Sequence, residues 1–246
     1  DRLLGLIFRG VAVEFVHRTK RMQAFWEFGF WGGSMIAAIA QGMALGAMVQ
    51  GIAIEGRAYA GGNWDWLTPF TLLTAVALVV GYAMLGATWL ILKTEGETLA
   101  RVRRLAAPLG VGLIALIGVV SLITPFLHPV YLERWFSWPS GAWSVVVPVL
   151  LALAIWQLWA GLRNKDPMRP FLATVALFAL SYVGLGISFY PQLIPPDLSI
   201  AEAAAPASSL RFLLVGAVVL IPMILAYTAY SYWVFRGKVR PGDGYH

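Results

Sequence analysis

Apolar residues in this chain run in long unbroken stretches, without the alternation of a half-buried strand or the one-sided stripe of a surface helix. Six stretches, residues 28–54, 67–92, 105–132, 135–162, 170–196 and 212–235, contain no Asp, Glu, Lys or Arg. Each exceeds the roughly 20 residues with which a helix, rising about 1.5 Å per residue, crosses about 30 Å of hydrocarbon. A barrel strand needs only about 9 to 11 residues with every second one apolar. Stretches that are apolar on all faces therefore predict helices. A shorter apolar segment, residues 3–15, carries Arg9 and Glu14 and reads as the end of a helix that starts before Asp1. The pattern predicts an all-α, polytopic transmembrane helix bundle. It has six complete spans plus the end of an N-terminally truncated helix, and residues 1–246 form a single integral membrane domain.

Composition agrees with lipid as the solvent. Of 246 residues, 59% are hydrophobic and 12% charged, about half the charged fraction of an ordinary soluble domain. There is no cysteine, which excludes a disulfide framework and any thiolate-held metal or iron–sulfur centre built from this chain. The net charge of +6 does not point to nucleic acid, because Lys and Arg gather at the cytoplasmic rim of membrane proteins for topological reasons.

The loop charges set an orientation. One set of segments carries His17, Arg18, Lys20 and Arg21; Lys93, Arg101, Arg103 and Arg104; Arg163, Lys165 and Arg169; and Arg236, Lys238 and Arg240. The other set has only Arg57, Arg134 and Arg211. Under the positive-inside rule the first set faces the cytoplasm, and with it the C-terminus. The outward segments are rich in Gly, Pro and aromatic residues, with Tyr131, Trp135 and Trp138 in one of them, while Tyr227, Tyr230, Tyr232 and Trp233 form an inner belt. Rings of this kind sit at headgroup level. Pro222 would kink the last span.

Candidate chemistry is sparse. Ionisable groups at mid-membrane depth are functional by default, and the six stretches hold none. The three histidines, His17, His128 and His246, fall in a loop, at a helix end and at the terminus, so none is placed as a membrane haem ligand. Glu14 stands three residues before His17 and four before Arg18, the spacing of an ordinary ion pair on a helix surface. The functional alternative is proton uptake by Glu14, with Arg9 neutralising an acidic partner. Glu27 lies among Phe25, Trp26, Phe28, Phe30 and Trp31 near a helix start, where the dipole favours an acid; it is a weak interfacial candidate. Gly42 and Gly46, and less regularly Gly81 and Ala87, suggest close helix contacts.

Four strings in order, IFRGVAVEF at 7–15, GATWLILKTEGE at 86–97, YPQLIPPDLS at 190–199 and AYTAYSYWVFRGKV at 226–239, resemble subunit II of the cytochrome bd-type quinol oxidases, including the cyanide-insensitive branch. The resemblance covers essentially the whole chain. It implies an oxidoreductase of a respiratory electron-transport chain in the bacterial or archaeal cytoplasmic (inner) membrane, a heterodimer with subunit I that oxidises quinol and reduces oxygen to water. Haems b and d would lie in subunit I and none would be held by ligands of this chain, which would not be catalytic alone. Subunit II would stabilise its partner and help deliver protons, and a small accessory subunit would be compatible with the pair. Glu14 occupies the position of the family's acidic residue after its FR motif, with Arg9 as the motif arginine. The family's first two helices and most of its third find no counterpart here, so about three further helices are expected before Asp1, the last ending near residue 16. The rival reading is a stand-alone carrier or channel, which would call for broken helices and midplane polar groups.

Overall fold

A computed structural model describes residues 23–56, 58–137, 140–196 and 198–238. In chain order these form α1 (Gln23–Gln50), a two-stranded antiparallel hairpin of β1 (Ile54–Glu55) and β2 (Ala58–Tyr59), α2 (Pro69–Lys93) and α3 (Gly96–Leu127). There follow α4 (Pro129–Phe136), α5 (Ser140–Arg163), α6 (Arg169–Phe189), a second small hairpin of β3 (Gln192–Ile194) and β4 (Leu198–Ser199), α7 (Ile200–Ala203) and α8 (Ala207–Val234). Six of the helices, α1, α2, α3, α5, α6 and α8, are long and apolar enough to cross a membrane. The chain is a multi-pass membrane protein with an all-α bundle.

Local sequence explains where the helices start and stop. Thr68 and Thr71 cap α2 reciprocally, the Thr68 hydroxyl accepting from the Thr71 amide at 3.2 Å and the Thr71 hydroxyl from the Thr68 amide at 2.9 Å. Pro69, whose missing N–H would have no partner in a first turn anyway, opens the helix. Three apolar stretches extend past their helices. The stretch at 105–132 is not one helix: α3 ends at Leu127 and α4 begins at Pro129, with His128 extended between them at φ −144°. A residue before proline is pushed out of the α region by the proline ring. The same effect at Tyr190, before Pro191, stops α6 at Phe189, short of residue 196. At Gly51 φ is +81°, which glycine adopts without strain, and α1 ends at Gln50. In the other direction α3 takes in Glu97, Arg101, Arg103 and Arg104, which lie before its apolar stretch, and α8 takes in Arg211 and runs through Pro222.

Helices α2, α3, α5 and α6 form a four-sided core, with α2 against α3 and α6, and α5 against α6 and more lightly against α3. Its centre is one apolar cluster that includes Met84, Ile91, Ala106, Leu113, Leu158 and Leu177. Helix α1 packs along the outer side of α2. A Cβ on Gly42 would lie 2.5 Å from the Ala75 Cα, and one on Gly46 2.8 Å from the Thr71 Cα, so glycine is what lets the two backbones meet. Across this contact the Thr74 hydroxyl donates to the Gly42 carbonyl at 2.9 Å. A Cβ on Gly81 would collide with the Phe178 ring, 2.6 Å away. No residue of α8 is buried. It meets the bundle chiefly at its last turns, where the Tyr232 ring stands edge-on to Trp89 at 5.6 Å.

Gly46→Val should lower the thermal unfolding midpoint of the detergent-solubilised protein, by the equivalent of about 1–3 kcal/mol for overpacking a close contact. Gly86→Ala, where an added Cβ meets open space, should leave the midpoint unchanged or raise it.

Candidate functional site

The ends of the bundle differ in chemistry. The last four carbonyls of a helix have no partner within it, and here side chains from other elements reach several of them. At one end α1 finishes with Val49 and Gln50. The Tyr131 hydroxyl donates to the Val49 carbonyl at 2.7 Å, and His128 Nε2 lies 2.7 Å from the Gln50 carbonyl. Since a carbonyl only accepts, that nitrogen carries the proton. The Gln50 side chain takes a hydrogen bond from the Thr68 hydroxyl at 2.6 Å, tying the end of α1 to the start of α2. Ser188, near the end of α6, receives Arg134 on its carbonyl at 3.2 Å and the Trp135 indole N–H on its hydroxyl at 2.9 Å. Tyr131, Arg134 and Trp135 all lie on α4, so this short helix clasps the ends of α1 and α6 together.

Tyr131 is fully buried. Its phenol is pushed up to about 12 from an ordinary 10.0, because burial penalises the phenolate more than the nearby Arg134 charge favours it. Sequence reasoning placed Tyr131 and Trp135 in an interfacial belt and missed the clasp. The legible signal was the His-Pro pair at 128–129 inside an apolar stretch, which marks a break.

Beneath the clasp lies a cavity of about 300 Å³. Its wall is mostly apolar, with Leu45, Leu113, Val147 and Leu177 among the lining residues, and among the described residues no Asp, Glu, Lys, Arg or His lines it. Three of its hydroxyls are turned back onto their own helices: Thr124 donates to the Val120 carbonyl at 2.7 Å, Ser181 to Leu177 at 2.8 Å and Ser188 to Gly184 at 2.8 Å. Such a wall accommodates an apolar guest but offers no acid–base group. His128 is the one histidine among the described residues, and its Nε2 is engaged by the Gln50 carbonyl; those residues contain no cluster of three or more His, Cys, Asp or Glu.

The opposite end is basic. Three of the four Lys/Arg-rich segments recognised in the sequence meet there: Lys93 donates to the Phe235 carbonyl at 2.5 Å, Lys238 pairs with Glu95 at 3.4 Å, and Arg103 donates to the Lys165 carbonyl at 2.8 Å. The fourth segment, with His17 and Arg18, lies outside the described residues, as do Arg9, Glu14 and the truncated helix. Glu27 is exposed on the second turn of α1. It stands between the Phe25–Trp26 and Phe28–Trp31 ring contacts, at 5.3 and 5.9 Å, and at the other end of α1 from the clasp.

The family model described as cytochrome bd terminal oxidase subunit II matches residues 2–235. Among curated proteins, the cytochrome bd-I ubiquinol oxidase subunit 2 of Escherichia coli K12 is 27% identical over 277 residues, covering 98% of this chain and 73% of its own. The cytochrome bd ubiquinol oxidase subunit 2 of Bacillus subtilis is 24% identical, covering 96% of this chain and 71% of its own. A probable cytochrome oxidase subunit 2 of Haemophilus influenzae is 26% identical, covering 96% and 72%.

Tyr131→Phe should strand the buried Val49 carbonyl and destabilise the protein by about 1–3 kcal/mol, read as a lower thermal midpoint in detergent. A raised phenol pKa favours the neutral form in the folded state. Its contribution is complete below pH 10 and is lost as pH rises through about 12. The wild-type midpoint should therefore fall over that window by a component that Tyr131→Phe lacks.

Proposed function

The chain belongs to the cytochrome bd terminal oxidase subunit II family, and from that premise we propose that it is the haem-free subunit of a quinol:oxygen oxidoreductase. In this reading it stabilises a haem-bearing subunit I and contributes to proton delivery as oxygen is reduced to water. The observation that carries it is the family match, which takes in nearly the whole chain, from residue 2 to residue 235. The relatives' names supply the substrate class, ubiquinol. The engagement of His128, the one described histidine, by the Gln50 carbonyl favours placing haems b and d, with quinol oxidation, in the partner. The uncovered apolar surface of α8 is in keeping with a chain that works inside a larger membrane assembly, to which a small accessory subunit could be added. The concentration of Lys and Arg at one end of the bundle favours that end, and the C-terminus, facing the cytoplasm of a cell whose inner membrane holds the complex.

Glu14 is the proposed entry for protons, with Arg9 setting the charge balance beside it. Its carboxylate would take a proton from the aqueous side and pass it inward, a role a neutral amide cannot fill. Glu27, at the basic end and among aromatic rings, is the weaker candidate for the same task.

Two experiments test this. Purified gently from its native membrane, the tagged chain should bring with it a second large membrane subunit and reduced-haem absorption in the red. A colourless, solitary protein would sink the oxidase reading and favour a stand-alone carrier. In the intact complex, Glu14→Gln should lower oxygen-reduction turnover by about 10²-fold, the lower range for loss of a general acid–base group, with haem content unchanged. Full turnover in that variant would remove Glu14 from the proton path while leaving the assembly role standing.

A further inference from the structure

The turn between α5 and α6 is built in an unusual way. Helix α5 closes with the Asn164 amide on the Ala160 carbonyl at 2.9 Å and the Asp166 amide on the Gly161 carbonyl at 3.0 Å. This closure places Lys165 in the left-handed region at φ +55°, the one non-glycine residue with positive φ among those described. Helix C-termini of this type ordinarily carry Gly or Asn at that position, so a lysine there points to a use for its side chain. Its main-chain carbonyl is held by Arg103 from α3 at 2.8 Å, which fixes the turn beside the first turns of α3.

Cations from two separate segments are thereby drawn to one stretch of the bundle's rim. The nearby carboxylates are already engaged. Asp166 accepts from the Met168 and Arg169 amides at 2.8 and 3.1 Å and pairs with the Arg169 side chain at 3.2 Å. Glu97 pairs with Arg101 at 3.0 Å. Arg104, Arg163 and Lys165 are exposed, and among the described residues their side chains make no ion pair or hydrogen bond. Arg163 ends one span and Arg169 begins the next, which sets this patch at headgroup depth. Towards the bilayer, the faces below are apolar and exposed: Val111 lies two turns along α3 from Arg104, and Trp156 two turns along α5 from Arg163.

We propose that this rim binds the phosphodiester headgroup of an anionic phospholipid, with Lys165, Arg163 and Arg104 on the phosphate and the acyl chains along the exposed faces of α3 and α5. Exposed cations on two segments joined by the Arg103–Lys165 contact, above exposed apolar residues of α3 and α5, make the surface such a lipid complements. The proposal does not depend on the proton path.

Native mass spectrometry of the purified complex, titrated with phosphatidylglycerol and in parallel with phosphatidylcholine, tests the proposal. Wild type should retain phosphatidylglycerol preferentially. Lys165→Gly, which removes the cation at a position glycine fits, and Arg163→Gln should each weaken that retention by about fivefold, since a cation at a membrane surface contributes about 1 kcal/mol. The double variant should treat the two lipids alike. Folding is checked by the thermal midpoint in phosphatidylcholine nanodiscs, where Lys165→Gly should match or exceed wild type. Equal retention of both lipids by wild type, or an undiminished preference in the folded double variant, would overturn the site.

Discussion

Helix C-termini in an apolar solvent present carbonyls that the helix cannot satisfy, and this constraint organises the molecule. Water can serve such groups on a soluble protein. A helix ending at the margin of a hydrocarbon layer, packed among its neighbours, must find donors nearby, because an unpaired buried carbonyl costs on the order of 1–3 kcal/mol. Tyr131 and His128 serve the end of α1, Arg134 the end of α6, Arg103 the carbonyl just beyond α5, and Lys93 the carbonyl just beyond α8. Each donor comes from a different element than the carbonyl it serves. Closing off one helix therefore also fixes the position of another, and connections that look local prove to be tertiary.

The donors differ at the two ends, and the difference follows from their surroundings. At the clasp they are a buried phenol, an imidazole and a guanidinium beside an indole. At the basic end they are half-buried cations at the rim. Positive charge beside a helix C-terminus is favourable because it meets the negative end of the helix dipole. Lys93 and Arg103 thus satisfy a carbonyl and a dipole together, while also contributing to the charge asymmetry read from the loops. Between the ends the Thr74 hydrogen bond to the Gly42 carbonyl is a lone main-chain tie among those described, and packing there relies on shape, which is why Gly42, Gly46 and Gly81 stand where two helices, or a helix and a ring, come closest.

The spans were legible in the sequence because a membrane demands about 20 consecutive apolar residues per crossing, a signal that survives in a single chain. The glycine contact between α1 and α2 was legible too, since Gly42 and Gly46 recur at helical spacing. The clasp was not. Tyr131, Trp135 and His128 are residues that any interfacial segment carries, and what makes them a site is the carbonyls they reach, 78 to 82 residues earlier in the cases of His128 and Tyr131. Distance in the chain of that order leaves no local pattern. The stretch at 105–132 shows the complementary weakness: hydropathy reads through Pro129 because proline is apolar enough to belong, while its ring dictates a break in the backbone.

Hydropathy also describes α8 and α2 in the same terms, although their circumstances are opposite. Both are long, apolar helices of similar length, yet α2 sits in the core with Met84 and Ile91 fully enclosed, and α8 buries nothing. A helix that gains nothing from packing must be positioned by its ends. Here the Tyr232–Trp89 contact and the Lys93 hydrogen bond hold one of them. Along the rest of its length the surroundings, lipid or protein, are what α8 is shaped to meet, because no polar side chain of its own interrupts the surface between Arg211 and Tyr227. The core square specifies itself through interdigitation, whereas the direction of α8 is set by polar contacts at the rim. The basic end therefore does more than record orientation: it is the fixed point from which the last span is aimed.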